Sequence, residues 1–278
     1  MDLHKVLDGL SKNAIRLEFK MDNKEEIPIG SSKFGGKPDL PKGFEWFYFS
    51  GEDTDGVTKE RPLNFLAQIN CAEIRQYDKD GLLPLKGILY FFYDLAAMTW
   101  GFDPKDKGSA RVYYFDVDVS ELARTNFPHD MEDEFKLPEI KLGFSKKYDL
   151  PDYEEFREFY EYENWEHYNE VKAMKGHGYE ETVSKLLGYA DLAQGEMLLD
   201  CELVTNGIYT GYPPDITDEE LEKFKENRDQ WQLLFQLDSL TTDDFELMFA
   251  DAGRIYYYIK KDDLEKRNFD DCWLILQC

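Results

Sequence analysis

Two stretches, LNFLAQINCAEIRQ at residues 63–76 and QLLFQLDSLTTDDF at residues 232–245, carry the same pattern. Each is an apolar run of strand character interrupted by an amide and, two residues on, by a second polar side chain. These are Gln68 and Asn70 in the first stretch, Gln236 and Asp238 in the second. Upstream, SKFGGKPDLP at 32–41 recurs as SKLLGYADLA at 184–193; downstream, GILYFFYDL at 87–95 recurs as GRIYYYIKKDDL at 253–264. The order is the same both times. The offsets are 152 residues from Gly36 to Gly188, 168 from Gln68 to Gln236 and 166 from Gly87 to Gly253. Drift of that size fits within loops, so the pattern predicts an internal duplication.

Around these motifs, strands are expected at residues 15–19, 44–49, 63–70, 88–93 and 112–117, and again at 197–204, 231–237, 245–249, 255–259 and 273–276. Gly, Pro and Asp clusters punctuate them as turns. Leu3, Val6, Leu7 and Leu10 keep helical spacing. Strands in adjacent runs argue for an α+β fold with mainly antiparallel sheet. The expected organisation is a single 278-residue domain of two related β-rich repeats, about 15–117 and 183–278, with an acidic helical insertion at about 118–182.

In that insertion, a 100° step from residue 152 to 174 places Tyr153, Phe156, Tyr160, Tyr168, Val171 and Met174 on one stripe, read as core. Phe159, Tyr162 and Trp165 fall off it. A further helix is expected after Thr217, where T-D-E-E matches a capping box closed by Glu220.

Composition narrows the classes of function. The chain has 58 acidic and 33 basic residues, a formal net charge of −25, with 18 acidic against 8 basic side chains between 118 and 181. Such a field disfavours nucleic acid phosphates and anionic lipid and favours a basic protein partner. No run approaches a membrane span, and MDLHKVLDGLSKNAIRL has no secretory character, so a cytoplasmic protein is expected. Cys71, Cys201, Cys272 and Cys278 form no C-x-x-C pair and read as free thiols.

Motifs of specific chemistry fail on spacing. GSSKFGGK at 30–37 puts Gly36 where a P-loop needs Lys, and the Asp-Gly turns DTDG and DKDG lack the Glu at the twelfth position of a calcium loop. His4, His129, His167 and His177 form no close ligand pair, and no G-x-S-x-G occurs. No metal and no cofactor are expected. What remains is the polar set on apolar strands: Gln68, Asn70, Gln236 and Asp238, with Asp251 and Arg254 at the turn before a strand, these two read as a pair. These residues either satisfy neighbouring backbone or line a pocket.

SKFGGKPDLP, PLNFLAQIN, GILYFFYD, SKLLGYADLAQG, WQLLFQLDS and FADAGRIYYYI, in that order over residues 32–278, resemble the YwqG-like family of bacterial proteins. The resemblance implies the fold and a bacterial cytosolic setting. It brings no catalytic residues, because that family has no assigned biochemical activity. Ala190 stands where the first half has Pro38, and Phe249-Ala250 stands where Trp-Gly is expected.

The favoured expectation is a non-enzymatic binding or interaction protein, immunity-like or an adaptor, recognising a basic partner. Its partner surface would comprise Glu154, Glu155, Glu158, Glu161, Tyr162, Glu163 and Trp165. The alternative is a hydrolase-type enzyme with its site in the cleft between the repeats.

Overall fold

A computed structural model describes residues 2–22, 25–178 and 183–278. Ten strands form one large, antiparallel, nearly closed sheet. In chain order they are β1 (Lys12–Lys20), β2 (Lys33–Phe34), β3 (Asn64–Asn70), β4 (Ile88–Tyr93), β5 (Ala110–Phe115), β6 (Ile140–Asp149), β7 (Lys185–Leu187), β8 (Trp231–Asp238), β9 (Arg254–Lys260) and β10 (Trp273–Gln277). Across the sheet the order is β10-β9-β8-β7-β1-β6-β2-β3-β4-β5. The strands carrying Gln68 and Gln236, β3 and β8, each lie third from an end. Each also carries a register shift, between Phe65 and Ala67 in β3 and between Leu233 and Phe235 in β8. Such bulges sharpen local twist and help a sheet curl.

Curling brings the two ends together around a shared apolar interior. Phe91 of β4 and Phe235 of β8 pack with ring centroids 4.3 Å apart, and the Tyr257 hydroxyl of β9 donates to the Phe92 carbonyl at 2.9 Å. Leu66, Ile69, Leu89, Leu237, Ile255 and Leu276 fill the same cluster. Alternate residues face outward and are covered in turn. Phe44, Trp46 and Phe47 pack over Tyr90 and Phe92. Helix α1 (Leu3–Leu10), α2 (Tyr153–Tyr160) and α3 (Trp165–Met174) share a cluster built from Leu3, Leu7, Phe156 and Tyr168. Helix α4 (Leu198–Thr205) lays Leu198, Cys201 and Val204 on Trp231, Leu233 and Tyr258. Helix α5 (Asp218–Asn227) starts at Thr217 with both hydrogen bonds of the capping box formed. Helix α6 (Lys261–Lys266) follows β9 directly.

Several local expectations are corrected. The stretch 118–182 is not simply a helical insertion, for it supplies β6, which pairs with β1 over nine register positions at the middle of the sheet. Ile140, Leu142 and Phe144 alternate there with Lys141, Gly143 and Ser145, a period of two. Residues 197–204, expected as a strand, form α4; an apolar run that short has no decisive period, and here it is buried nearly all round. Residues 44–47 are irregular, and a strand begins only at Tyr48. The expected single helix from 152 to 174 breaks at Glu161, which takes the left-handed conformation with φ 48°. The break resets the stripe. Tyr153, Phe156, Tyr168 and Val171 are buried as expected, whereas Tyr160 and Met174 are exposed.

Candidate functional site

Strand pairing places Lys33 opposite Gln68 and Lys185 opposite Gln236. Both lysines are almost fully buried, and a buried ammonium requires partners. Around each, a polar network is built from the same residue types.

In the first network Lys33 Nζ donates to Glu139 Oε2 at 2.7 Å and to the Lys37 carbonyl at 2.6 Å, with Asp39 Oδ2 at 3.9 Å. Gln68 Oε1 accepts from the Asp39 backbone at 2.8 Å, while its Nε2 donates to Asp39 Oδ2 at 2.7 Å and to the Ser31 carbonyl at 2.8 Å. The Tyr90 hydroxyl donates to the Asp39 carbonyl. Arg124 closes the network, with Nε 2.6 Å from Asp39 Oδ1 and a second nitrogen 3.0 Å from Glu139 Oε2.

In the second network Lys185 Nζ lies 2.6 Å from Asp149 Oδ2 and 2.5 Å from Asp191 Oδ2. Gln236 Oε1 accepts from the Asp191 backbone at 2.9 Å, and its Nε2 donates to the Val183 carbonyl at 2.6 Å and to Asp191 Oδ2 at 3.1 Å. The Tyr256 hydroxyl donates to the Asp191 carbonyl at 2.7 Å. Arg254 donates to the same carbonyl at 3.0 Å and to Asp238 Oδ2 at 2.8 Å.

The two lysines respond differently. Burial depresses the Lys33 ammonium pKa, and Glu139 and Asp39 only partly offset it. Burial also works against the charge on Lys185, but Asp191 and Asp149 together outweigh it and hold the pKa above its ordinary value. The difference follows from geometry, two close carboxylates against one close and one distant.

The six polar residues singled out from the strands are not brought into one pocket. Gln68 and Asn70 belong to the first network, Gln236, Asp238 and Arg254 to the second, and four strands separate β3 from β8 in the sheet. Asn70 Nδ2 donates to the Gly30 carbonyl at 2.8 Å, and Asp238 Oδ2 accepts from the Val183 backbone at 2.9 Å. Of the six, Asp238 lines a surface concavity of about 590 Å³, with Arg16, Ser239 and Thr241. Asp251 is exposed, and Arg254 pairs with Asp238 rather than with it. Lys33, Asp39, Lys185 and Asp191 were missed in the sequence reading. The signal is the S-K…D frame repeated at 32–39 and 184–191, which places a lysine and an aspartate at matching positions.

On α2 and α3 the expected surface is partly realised. Glu158, Glu161 and Glu163 are exposed, Glu154 and Tyr162 are half-buried, and Trp165 is 58% exposed. Glu155 is a correction. It is buried beneath the helices, where burial first, offset in part by Lys12, pushes its carboxyl up to about 6. It follows Tyr153 by two residues and precedes Phe156, so it turns with the inward face. Arg228 sits over the Phe159 ring at 4.5 Å and donates to Glu158.

Among the described residues no group of three or more His, Cys, Asp or Glu is arranged to hold a metal, and no helix is long and apolar enough to cross a membrane. The four cysteines are free, and burial pushes the Cys71 thiol up to about 12. Comparison with curated proteins returns no match. A family model does match, over residues 32–278, which spans both buried lysines and all ten strands except β1. The chain therefore belongs to the family described as a domain of unknown function, DUF1963.

Proposed function

We propose that the protein is a non-enzymatic binding protein, immunity-like or an adaptor, that recognises a basic protein through α2 and α3. The observation that carries this reading is Trp165, left largely exposed between Glu163 and Glu166 on a surface that also exposes Phe159 and Tyr160. An exposed indole contributes little to folding, whereas Trp is enriched among the residues that dominate binding energy. From 152 to 178 the chain has eight carboxylates against three cations, a field that draws in a cationic surface and repels phosphates. A bacterial, cytoplasmic, YwqG-like protein built by internal duplication is part of the same reading. The matched networks around Lys33 and Lys185 support the duplication. The hydrolase alternative draws less support, because Gln68 and Gln236 spend their amides on backbone and on a neighbouring aspartate.

The test is affinity capture from a bacterial lysate with the wild-type chain and with a Phe159→Ala/Trp165→Ala variant of unchanged circular dichroism. A basic protein retained by the wild type at low salt, released at high salt and lost with the variant is the expected result. Equal capture by both chains would overturn the proposal.

A further inference from the structure

The sheet is nearly closed, and the place where it fails to close is a cleft. Its two edge strands, β5 and β10, approach each other without pairing. Side chains and loops bridge the gap instead. Trp273 Nε1 donates to the Gly101 carbonyl at 2.8 Å, the Leu276 backbone donates to the Trp100 carbonyl at 3.0 Å, and the Thr210 backbone donates to the Phe102 carbonyl at 2.9 Å. Beside these bridges a cleft of about 430 Å³ remains, within the size range of small-molecule sites. Trp231 and Trp273, both largely buried, contribute to its wall.

The charges at this cleft are of both signs, and most are already engaged. Lys260 is 3.0 Å from Glu202, Lys107 is 4.0 Å from Asp271, and Asn268 donates to both Asp263 and Asp271. Asp106 accepts from the Gly101 backbone. Two groups remain. Arg111, on β5, is half-buried, yet no hydrogen bond or ion pair forms to its guanidinium among the described residues. Asp270, on the loop that enters β10, likewise has neither among them. A half-buried guanidinium without an acceptor is the more telling, since its planar fork is suited to bind a carboxylate through two bonds. Among the described residues the cleft thus has an unengaged cation from one edge strand and an unengaged anion beside the other.

We propose that this seam cleft binds a small zwitterion of the free amino acid or dipeptide class, its carboxylate on Arg111 and its ammonium towards Asp270 and the neighbouring Asp271. The aliphatic or aromatic side chain of the ligand lies against the Trp231 and Trp273 wall.

Calorimetric titration of the intact chain with a panel of free amino acids and dipeptides tests this, each probe paired with its N-acetylated and C-amidated forms. At least one zwitterion should bind, and blocking either of its charges should weaken binding about tenfold or more, the size expected for one charge-assisted contact. Arg111→Met should weaken the zwitterion and its N-acetylated form alike. Asp270→Asn/Asp271→Asn should weaken the zwitterion but leave the N-acetylated form unchanged or tighter. Arg111→Lys, which keeps the charge and loses the fork, should retain part of the affinity and serves if the Met variant unfolds. Failure of every probe to bind overturns the proposal, as does equal binding by singly charged analogues or indifference to all the Arg111 variants.

Discussion

Lys185 and Asp149 meet at 2.6 Å with both side chains almost wholly withdrawn from water, and Asp149 is the last residue of the long central strand β6. At the other end of that strand, Glu139 immediately precedes its first residue and receives Lys33 at 2.7 Å. The central strand is therefore pinned at both ends by buried lysines from the short strands β2 and β7. The pins differ in redundancy. Asp39 and Glu139 share Arg124 as a second cation, whereas Asp149 has Lys147 only at 3.8 Å.

Removing either lysine strands carboxylates in a low-dielectric setting, at a cost set by what still compensates them. Lys185→Met should cost about 3–5 kcal/mol, the range for breaking a buried pair. Lys33→Met should cost less, about 1–3 kcal/mol, because Arg124 continues to neutralise Asp39 and Glu139. Urea unfolding of both variants checks the order. Equal losses would show that Arg124 does not act as the second cation.

The two glutamines offer a parallel comparison. Each amide makes three hydrogen bonds, one accepted from a backbone N–H of the aspartate and two donated. Gln68→Leu and Gln236→Leu each leave a backbone N–H and a backbone carbonyl without that partner. Each should cost at least about 1–3 kcal/mol. A loss below that range in either variant, measured by the same unfolding, would mean that water replaces the amide.

Most of the sheet was legible because its strands alternate or run apolar between turn residues, as 88–93 and 255–259 do. What was missed depends on partners far away in sequence. Nothing near Lys33 reveals that Glu139, 106 residues on, will meet it. Strand β6 alternates only over Ile140–Ser145 and lies in a segment dominated by acid, so its period of two is weak against the surrounding charge. The residues 197–204 show the reverse error, an apolar run whose helical state is set by packing on β8 and β10 rather than by pattern. The seam cleft was invisible for the same reason, since Arg111 and Asp270 lie on edges that only sheet curvature brings together.

Gly101 tests the seam itself. It has φ 80°, and a Cβ there would stand 1.9 Å from the Leu274 carbonyl oxygen. Gly207, which lines the cleft, has φ 90° but nothing within 4 Å of such a Cβ. Gly207→Ala should cost only the left-handed penalty of about 1–2 kcal/mol. Gly101→Ala adds a backbone clash and should cost about 2–5 kcal/mol in all. Thermal unfolding of the two variants side by side isolates the seam contact, and equal shifts would show that the edge strands can part freely.

Glu196 sets a pH dependence whose sign can be worked out. Burial first, then the like charge of Glu155, pushes its carboxyl up to about 8, against 4.5 ordinarily. Below pH 4.5 both folded and unfolded chains hold the proton. Between pH 4.5 and about 8 the unfolded chain releases it while the folded chain keeps it, so the folded state binds more protons and stability falls as pH rises. Glu155, raised to about 6, acts in the same direction over the lower part of that window. A neutral amide at 196 can still accept from the Leu198 backbone, as Glu196 Oε1 does, without the ionisation. Glu196→Gln should therefore unfold at a denaturant midpoint close to wild type near pH 5 and gain steadily on it towards pH 8. A difference that stays constant across this range would show that the Glu196 carboxylate ionises with ordinary ease in the folded chain.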